Sequence, residues 1–197
     1  MHKTFISYHH KNEQDLKDEL IKRYGGDDFI DKSVKDGDID TNLSEETIMR
    51  KIKEDFLGES TVTLVLIGFE TAQRPFVNSE IQASLWGNNP NGLLAVVRDD
   101  VYSLMYNYSR CTDSKCNCGQ EIRVPTDYHK RYLPDLIYKN RQYKSDVPHF
   151  TNSQVYCSLI KWSTFINNPE THINEAFDKR SKEISIAKKL SPETPKI

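Results

Sequence analysis

One carboxylate, Glu80, stands at a position where α/β proteins often bind ligands. Residues 61–67 are an almost unbroken apolar, β-branched run, which predicts a strand buried on both faces. Pro75 suits the first turn of the helix that follows, and Glu80 lies at the edge of that helix's apolar stripe of Val77, Ile81 and Leu85. A carboxylate just beyond the carboxyl end of a buried strand is placed to contact a ligand. The alternative is an ordinary exposed helical glutamate.

A second group of polar side chains follows the first apolar segment of the chain. Residues 3–8, KTFISY, predict a short central strand. Four side chains fall at its carboxyl end: Ser7, Tyr8, His9 and His10. In a parallel sheet this end would border the same crevice as Glu80. Tandem histidines are not a metal pattern by themselves, and histidines exposed on a surface loop are the alternative interpretation.

Three cysteines stand close together in the second half of the chain: Cys111, Cys116 and Cys118. Their C-x4-C-x-C spacing is not a standard zinc-finger pattern, which favours a surface loop with free thiols and no metal. The alternative is a zinc site whose fourth ligand comes from one of three residues: Cys157, His129 or His149.

An acidic series in the connection before residue 44 resembles a calcium-binding loop only superficially. It comprises Asp36, Asp38 and Asp40. A calcium loop counted from Asp36 requires glycine at its sixth position and glutamate at its twelfth, where this chain has Thr41 and Thr47. We therefore interpret the series as a solvated acidic loop.

The order of the predicted elements indicates an α/β fold. Strands are predicted at 3–8, 61–67 and 92–97, and helices at 12–24, at 44–57 and from Pro75 onward. This alternation predicts a central parallel sheet with helices on both faces.

The amino-acid composition of the sequence changes after residue 98. Residues 99–153 are rich in Tyr, Asp, Lys and Arg and poor in periodic apolar runs. A last strand or core segment is predicted at 154–163, a charged helix at 168–189, and a frayed tail at 191–197. We predict a single domain over 1–197, with its core at 3–97, a variable extension with a C-terminal helix at 98–190, and that tail.

Composition restricts the class of protein. The chain has 197 residues, a net charge of −2 and 37% hydrophobic residues, which fits one globular domain. It has no basic stripe, no apolar run of membrane-spanning length and no charged-then-apolar leader. We therefore expect a soluble cytoplasmic protein that binds neither nucleic acid nor a membrane.

Four segments in order resemble one known family. They are FISYHH after the first strand, FIDKSV in the long connection, STVTLVLIG as the buried strand, and RPFVNSEI at the start of the next helix. Over about residues 3–97 they resemble the TIR-like domains of the Thoeris antiphage system. The resemblance implies a flavodoxin-like TIR fold in the α/β class, with a central parallel sheet, helices on both faces and a variable C-terminal extension.

The resemblance also implies roles for individual residues. The family's catalytic glutamate lies in a W/F-V-x-x-E-I setting, which residues 76–81 fit, so Glu80 takes that role. Substrate contacts are predicted for residues of the first loop, of the F-x-D-x-S segment and of Glu80's side of the helix: Ser7, Tyr8, His9, Phe29, Asp31, Ser33, Phe76 and Ser84. Many catalytic members carry a tryptophan and a second acidic residue in the long connection. This chain departs from that pattern, because it reads VKDGDID there and has no tryptophan.

The implied activity is cleavage of NAD+ between nicotinamide and ribose. Family members can cyclise the remaining ADP-ribose into a signalling nucleotide that activates a separate effector protein, and a phage-derived trigger is expected. Plain ADP-ribose is the alternative product. NAD+ is the substrate, no cofactor or metal is expected, and self-association into a homo-oligomer is typical of such domains.

Two other functions fit parts of the sequence. The first is a non-catalytic TIR-like interaction module that assembles with itself or a partner. The second is a phosphate-receiver-like flavodoxin fold, which would need an acidic cluster at the end of the first strand to bind magnesium. Tyr8, His9 and His10 occupy that place instead, which disfavours the receiver.

Overall fold

The main sheet of the protein is parallel and has five strands. The computed structural model describes residues 2–25, 28–32, 34, 37–116, 118–143, 146 and 149–197. The strands are β1 (Thr4–Ser7), β2 (Phe29–Ile30), β3 (Val62–Ile67), β4 (Gly92–Val97) and β7 (Cys157–Lys161). They stand side by side in the order β2-β1-β3-β4-β7. This is the doubly wound order of flavodoxin-like folds, so the predicted fold class is confirmed.

Helices connect the strands and flank the sheet. In chain order they are α1 (Gln14–Tyr24), α2 (Glu45–Lys51), α3 (Pro75–Leu85), α4 (Asp99–Met105), α5 (Asp127–Tyr132), α6 (Asp135–Lys139), α7 (Trp162–Phe165) and α8 (Pro169–Asp178). Ser44 caps α2 by accepting a hydrogen bond from the Thr47 N–H, and α2 continues as a π-helical segment, Ile52–Leu57.

Apolar side chains cover both faces of the sheet. Val65 and Ile67 of β3 belong to the cluster that contains the apolar stripe of α3. Leu64 and Leu66, which alternate with them, belong to the cluster that contains α1 and α8. This arrangement buries β3 completely. The carboxyl ends of β3 and its neighbouring strands form one edge of the sheet, where side chains from several elements meet.

The segment after residue 98 contains more regular structure than its composition predicted. β5 (Tyr106–Arg110) and β6 (Glu121–Pro125) form an antiparallel hairpin apart from the main sheet. Most side chains of β5 are exposed, so the hairpin lacks the apolar alternation by which strands are recognised in a sequence. Two short helices, α5 and α6, follow it.

The C-terminal helix is shorter than predicted. α8 ends at Asp178, one 3-10 turn follows at Lys179–Ser181, and the chain then runs without a helix to residue 197. Ile184 and Ile186 are separated by Ser185, a spacing of two that fits an extended chain, and both pack on the α3 cluster. The Asn140 side chain bonds to both backbone groups of Ala187, with distances of 2.9 and 3.0 Å, in place of helical partners.

Residues 191–197 were predicted to fray, and the structure contradicts this. The Asn78 amide donates to the Pro195 carbonyl at 3.0 Å, and the Ile197 N–H donates to Ser79 Oγ at 3.2 Å. The Ile197 side chain packs against the cluster that contains Val34. The tail therefore lies along α3, the helix that carries Glu80. Within the described ranges, none of the helices is both apolar and long enough to cross a membrane.

Candidate functional site

Glu80 lies in a helix that is buried along most of its length. α3 begins at Pro75, after β3 and the turn Thr71–Gln73, and it packs against α2, the π-helical segment and α6. Every residue from 77 to 85 is buried, and Glu80 is 1% exposed. The interpretation of Glu80 as an exposed helical glutamate is therefore wrong.

Two other parts of the chain hold the Glu80 carboxyl. The Ser7 hydroxyl, at the end of β1, donates to Glu80 Oε2 at 2.6 Å. The Val34 backbone N–H, in the connection after β2, donates to Glu80 Oε1 at 2.8 Å. The predicted meeting of Ser7 and Glu80 at the carboxyl edge is therefore present in the structure, and a backbone donor from the long connection joins them.

Burial dominates the ionisation of this group. Loss of solvent raises the pKa of Glu80 to about 8, and the hydrogen bonds from Ser7 and Val34 counteract that rise only in part. In this arrangement the carboxyl is therefore neutral at pH 7. A strongly shifted carboxyl at the ligand-binding edge of an α/β sheet is typical of functional sites.

Tyr8, Phe29 and Asp31 lie on the α1 side of the sheet. Tyr8 and Phe29 belong to the cluster that contains α1, whereas Glu80 faces the opposite side with Ser7. The Tyr8 hydroxyl lies 3.3 Å from Asp31 Oδ1, and Lys17 Nζ lies 2.8 Å from Asp31 Oδ2. Burial and the Asp31 charge raise the pKa of Tyr8 to about 12. Tyr8 and Asp31 therefore form a group of their own, tied to α1 by Lys17.

The remaining predicted substrate contacts lie in different surroundings. Phe76 is partly buried in the cluster that contains Val34, on the Glu80 side of the sheet. Ser84 is fully buried, and its hydroxyl donates to the Ile81 carbonyl at 2.8 Å, which satisfies it within the helix. Ser33 lies outside the described residues.

His9 is mostly buried, and its Nδ1 has no hydrogen-bond partner among the described residues. Glu70 Oε2 is 4.0 Å away, beyond hydrogen-bond distance. Burial and the positive charge of Arg74 lower the pKa of His9, so its ring is neutral at pH 7. An unpartnered, buried ring nitrogen therefore lies beside Arg74, which directly precedes α3.

A second buried carboxyl, Glu13, was missed by the sequence analysis. It is fully buried just before α1, and the Thr71 hydroxyl donates to its Oε2 at 3.1 Å. A Cβ at Gly68 would lie 2.0 Å from Glu13 Oε1, so glycine is required at the end of β3 for this carboxyl to fit. Burial raises the pKa of Glu13 to about 7. Nothing local in the sequence distinguishes this residue from other helix-start glutamates.

The three clustered cysteines are brought together with His149. The ligand atoms of Cys111, Cys116, Cys118 and His149 all lie within 4.8 Å of one another. The other two candidates for a fourth ligand lie elsewhere: Cys157 is buried on β7, and His129 Nε2 contacts the Tyr106 hydroxyl at 3.0 Å. A cavity of about 510 Å³ borders His149, and none of the predicted substrate-binding residues that the structure describes lines it.

The buried Glu80 carboxyl predicts a specific pH dependence of stability. The folded protein keeps its proton to about pH 8, whereas the unfolded chain releases it near 4.5. The free energy of unfolding should therefore fall as pH rises through this window, by up to about 1.4 kcal/mol per pH unit from this group. Glu80→Gln removes the group and keeps the size of the side chain. The stability of the variant relative to the wild type should therefore increase from pH 5 to pH 8, as measured by urea denaturation.

The difference in stability between the wild type and Glu80→Gln reports on Glu80 and not on Glu13. Glu13 titrates in both proteins, so its contribution to the difference cancels. A difference that stays constant across these pH values would contradict a raised pKa at Glu80.

The comparison with protein families concerns the first half of the chain. Residues 5–102 match the family model described as Thoeris protein ThsB, TIR-like domain. The matched range contains β1 to β4, Ser7 and Glu80, and it ends in α4, before the hairpin and the cysteine cluster.

Proposed function

Because this chain belongs to the Thoeris ThsB TIR-like family through residues 5–102, we propose that it is an NAD+-cleaving enzyme. It releases nicotinamide and converts the remainder into a cyclic ADP-ribose-type nucleotide that activates a separate antiphage effector. Membership of the family supports a role in antiphage defence. The observation that carries the proposal is the buried carboxyl of Glu80, held by Ser7 and Val34 at the carboxyl edge of the sheet.

The proposed chemistry needs one carboxylate beside the ribose. Nicotinamide leaves NAD+ as a neutral molecule because its ring nitrogen carries a positive charge before the bond breaks. Its departure leaves an oxocarbenium-like ribose, as in glycoside hydrolysis. In the ionised state Glu80 stabilises that positive charge, and the Ser7 hydroxyl orients the carboxylate through its bond to Oε2.

Substrate itself favours the ionised state of Glu80. Burial raises the pKa of Glu80, and among the described residues only the hydrogen bonds from Ser7 and Val34 lower it. The cationic nicotinamide ring of bound NAD+ would place a positive charge close to the carboxyl, and such a charge lowers a carboxyl pKa. Ionisation is thereby coupled to binding of the charged substrate.

Access to Glu80 requires a rearrangement of the connection after β2. With Glu80 1% exposed and its Oε1 occupied by the Val34 N–H, no ribose hydroxyl reaches the carboxyl in the arrangement described. Val34 is the described residue of that connection that touches Glu80, so we propose that this part of the connection withdraws when NAD+ binds. Ser7 lies on the sheet and keeps its place.

The fate of the ribosyl cation depends on water. A closed site favours capture by an atom of the same molecule and yields a cyclic product, whereas an open site yields plain ADP-ribose. Phe76, partly buried on the Glu80 side of the sheet, is placed to keep water from this site, which supports cyclisation.

A non-catalytic TIR-like interaction module is the second candidate function. Both oxygens of Glu80 already have partners, which is also what a purely structural buried carboxyl requires. In that case the same contacts serve to fix the connection after β2 against α3, and the protein acts through assembly with itself or a partner.

Incubation with NAD+ and mass-resolved analysis of products tests the proposal. The purified chain should be assayed alone and with lysate from phage-infected cells, which supplies a trigger if one is needed. Free nicotinamide with a product at the mass of ADP-ribose less one water supports the cyclase, and a product at the mass of ADP-ribose supports hydrolysis. Folded protein that leaves NAD+ unchanged under both conditions would favour the interaction module.

A further inference from the structure

The extension after residue 102 brings four metal-ligating side chains to one point. Cys111 directly follows β5, Cys116 and Cys118 lie in the turn of the hairpin, and His149 comes from the segment before β7. Their three sulfur atoms and one ring nitrogen lie within 4.8 Å of one another. We propose that these four residues bind one Zn²⁺ ion.

The distances match a tetrahedral zinc site. With Zn–S of about 2.3 Å and Zn–N of about 2.0 Å, tetrahedral angles place a sulfur and a nitrogen ligand about 3.5 Å apart. His149 Nε2 lies 3.2 Å from Cys116 Sγ and 3.4 Å from Cys118 Sγ. These two distances differ from the tetrahedral value by only a few tenths of an ångström, and the remaining ligand pairs lie within 4.8 Å.

The ligand set selects zinc and a structural role. Three thiolates and one imidazole in tetrahedral geometry suit Zn²⁺ better than Mg²⁺ or Ca²⁺, which require oxygen ligands. Four protein ligands complete the coordination and leave no position open for a reacting water. On binding, each cysteine releases its thiol proton. The site is therefore distinct in chemistry from the Glu80 site.

The hairpin has a physical need for such a cross-link. β5 and β6 form a sheet of two strands, and most of their side chains are exposed. An isolated two-stranded hairpin is marginally stable in water. A zinc ion would join the turn of the hairpin to His149, 33 residues beyond Cys116. It would also fix His149 as one wall of the cavity that the hairpin shares with the segment before β7.

Metal analysis of the untagged, reduced protein tests the proposal. We expect about one zinc per chain in the wild type, and a fall of at least about tenfold in Cys118→Ser and in His149→Ala after dialysis. Matched controls are Cys157→Ala and His10→Ala, which remove a thiol and an imidazole outside the cluster. Both controls should keep the zinc content of the wild type.

A second measurement uses the wild type alone and does not depend on the folding of variants. After zinc is removed with a chelator under reductant, Co²⁺ should bind and give the thiolate charge-transfer and tetrahedral d–d absorption bands, and zinc should then displace it. Hydrogen exchange at residues 106–125 should be faster in the zinc-free protein and return to its original rate with zinc. The exchange rates of β3 and β4 should not change.

Three outcomes would overturn the proposal. They are wild-type protein without zinc that also gives no tetrahedral cobalt spectrum, zinc retained by both cluster variants, or zinc lost equally from the controls. The NAD+ assay plays no part in this test, so the two proposals stand or fall separately.

Discussion

Replacing Glu80 with glutamine should lower kcat/KM for NAD+ by at least about 10²- to 10³-fold, because the negative charge that Glu80 carries once NAD+ is bound is lost. Glutamine has the size of glutamate, and its amide can still donate to Ser7 Oγ and accept from the Val34 N–H. The variant should therefore keep the fold and the contacts that residue 80 makes with Ser7 and Val34. What it lacks is the negative charge that stabilises the ribosyl cation.

The loss corresponds to about 3–4 kcal/mol of transition-state stabilisation. It should appear in kcat as well as in kcat/KM, because the charge acts on the cation that forms during the reaction and not on NAD+ alone. Nicotinamide release measured under single-turnover conditions gives this quantity directly. Circular dichroism and the urea midpoint verify that the variant is folded.

Two other glutamates serve as controls for this result. Glu45 lies on α2, bonded to Gln82 of α3, and Glu45→Gln should leave turnover unchanged. Glu13→Gln removes the other buried carboxyl near the same edge of the sheet. Loss of turnover in Glu13→Gln together with full activity in Glu80→Gln would show that the catalytic role is assigned to the wrong carboxyl.

The juxtaposition of Ser7 and Glu80 was predictable because it follows from topology. The carboxyl ends of parallel strands lie at one edge of the sheet, so residues that end β1 and residues that follow β3 come together whatever the rest of the chain does. Buried strands such as β3 and β4 are also the elements with the strongest sequence signal, since each is a continuous apolar run.

The burial of Glu80 and Glu13 was not predictable in the same way. It depends on groups that are distant along the chain: Val34 lies 46 residues from Glu80, and Thr71 lies 58 residues from Glu13. These contacts leave no periodic pattern in the sequence. The cysteine cluster shows the same limit, because spacing gave three candidates for a fourth ligand and only the folded chain places His149 with the cysteines.

The prediction of a helix up to residue 189 was wrong for the residues after Ser181. Residues 179–189 carry the charged residues of a solvated helix, yet the alternation at Ile184 and Ile186 fits an extended chain that packs on the α3 cluster. Tertiary contacts outweigh local propensity here, since Asn140 and Asp135 supply hydrogen-bond partners to the backbone at Ala187 and Ser191.

Removing the backbone donor that holds Glu80 should increase basal NAD+ turnover. Val34→Pro deletes the N–H that donates to Glu80 Oε1 and replaces the valine side chain with an apolar ring of similar size in the buried position. A buried acceptor that loses a donor and is left unpaired costs about 1–3 kcal/mol, and the cost falls on the closed arrangement alone. The population of the open, substrate-accessible arrangement should therefore rise about 5- to 150-fold, and turnover without a trigger should rise with it.

Val34→Ala is the matched control because it weakens apolar packing and retains the N–H. If the hydrogen bond restrains the site, Val34→Pro should exceed Val34→Ala in untriggered turnover, and Glu80→Gln added to Val34→Pro should abolish the gain. An equal gain in both variants would assign the restraint to packing of the Val34 side chain with Phe5 and Ile39. A loss of turnover in Val34→Pro would mean that the arrangement with Val34 on Glu80 is the one in which NAD+ reacts, and that the connection does not need to withdraw.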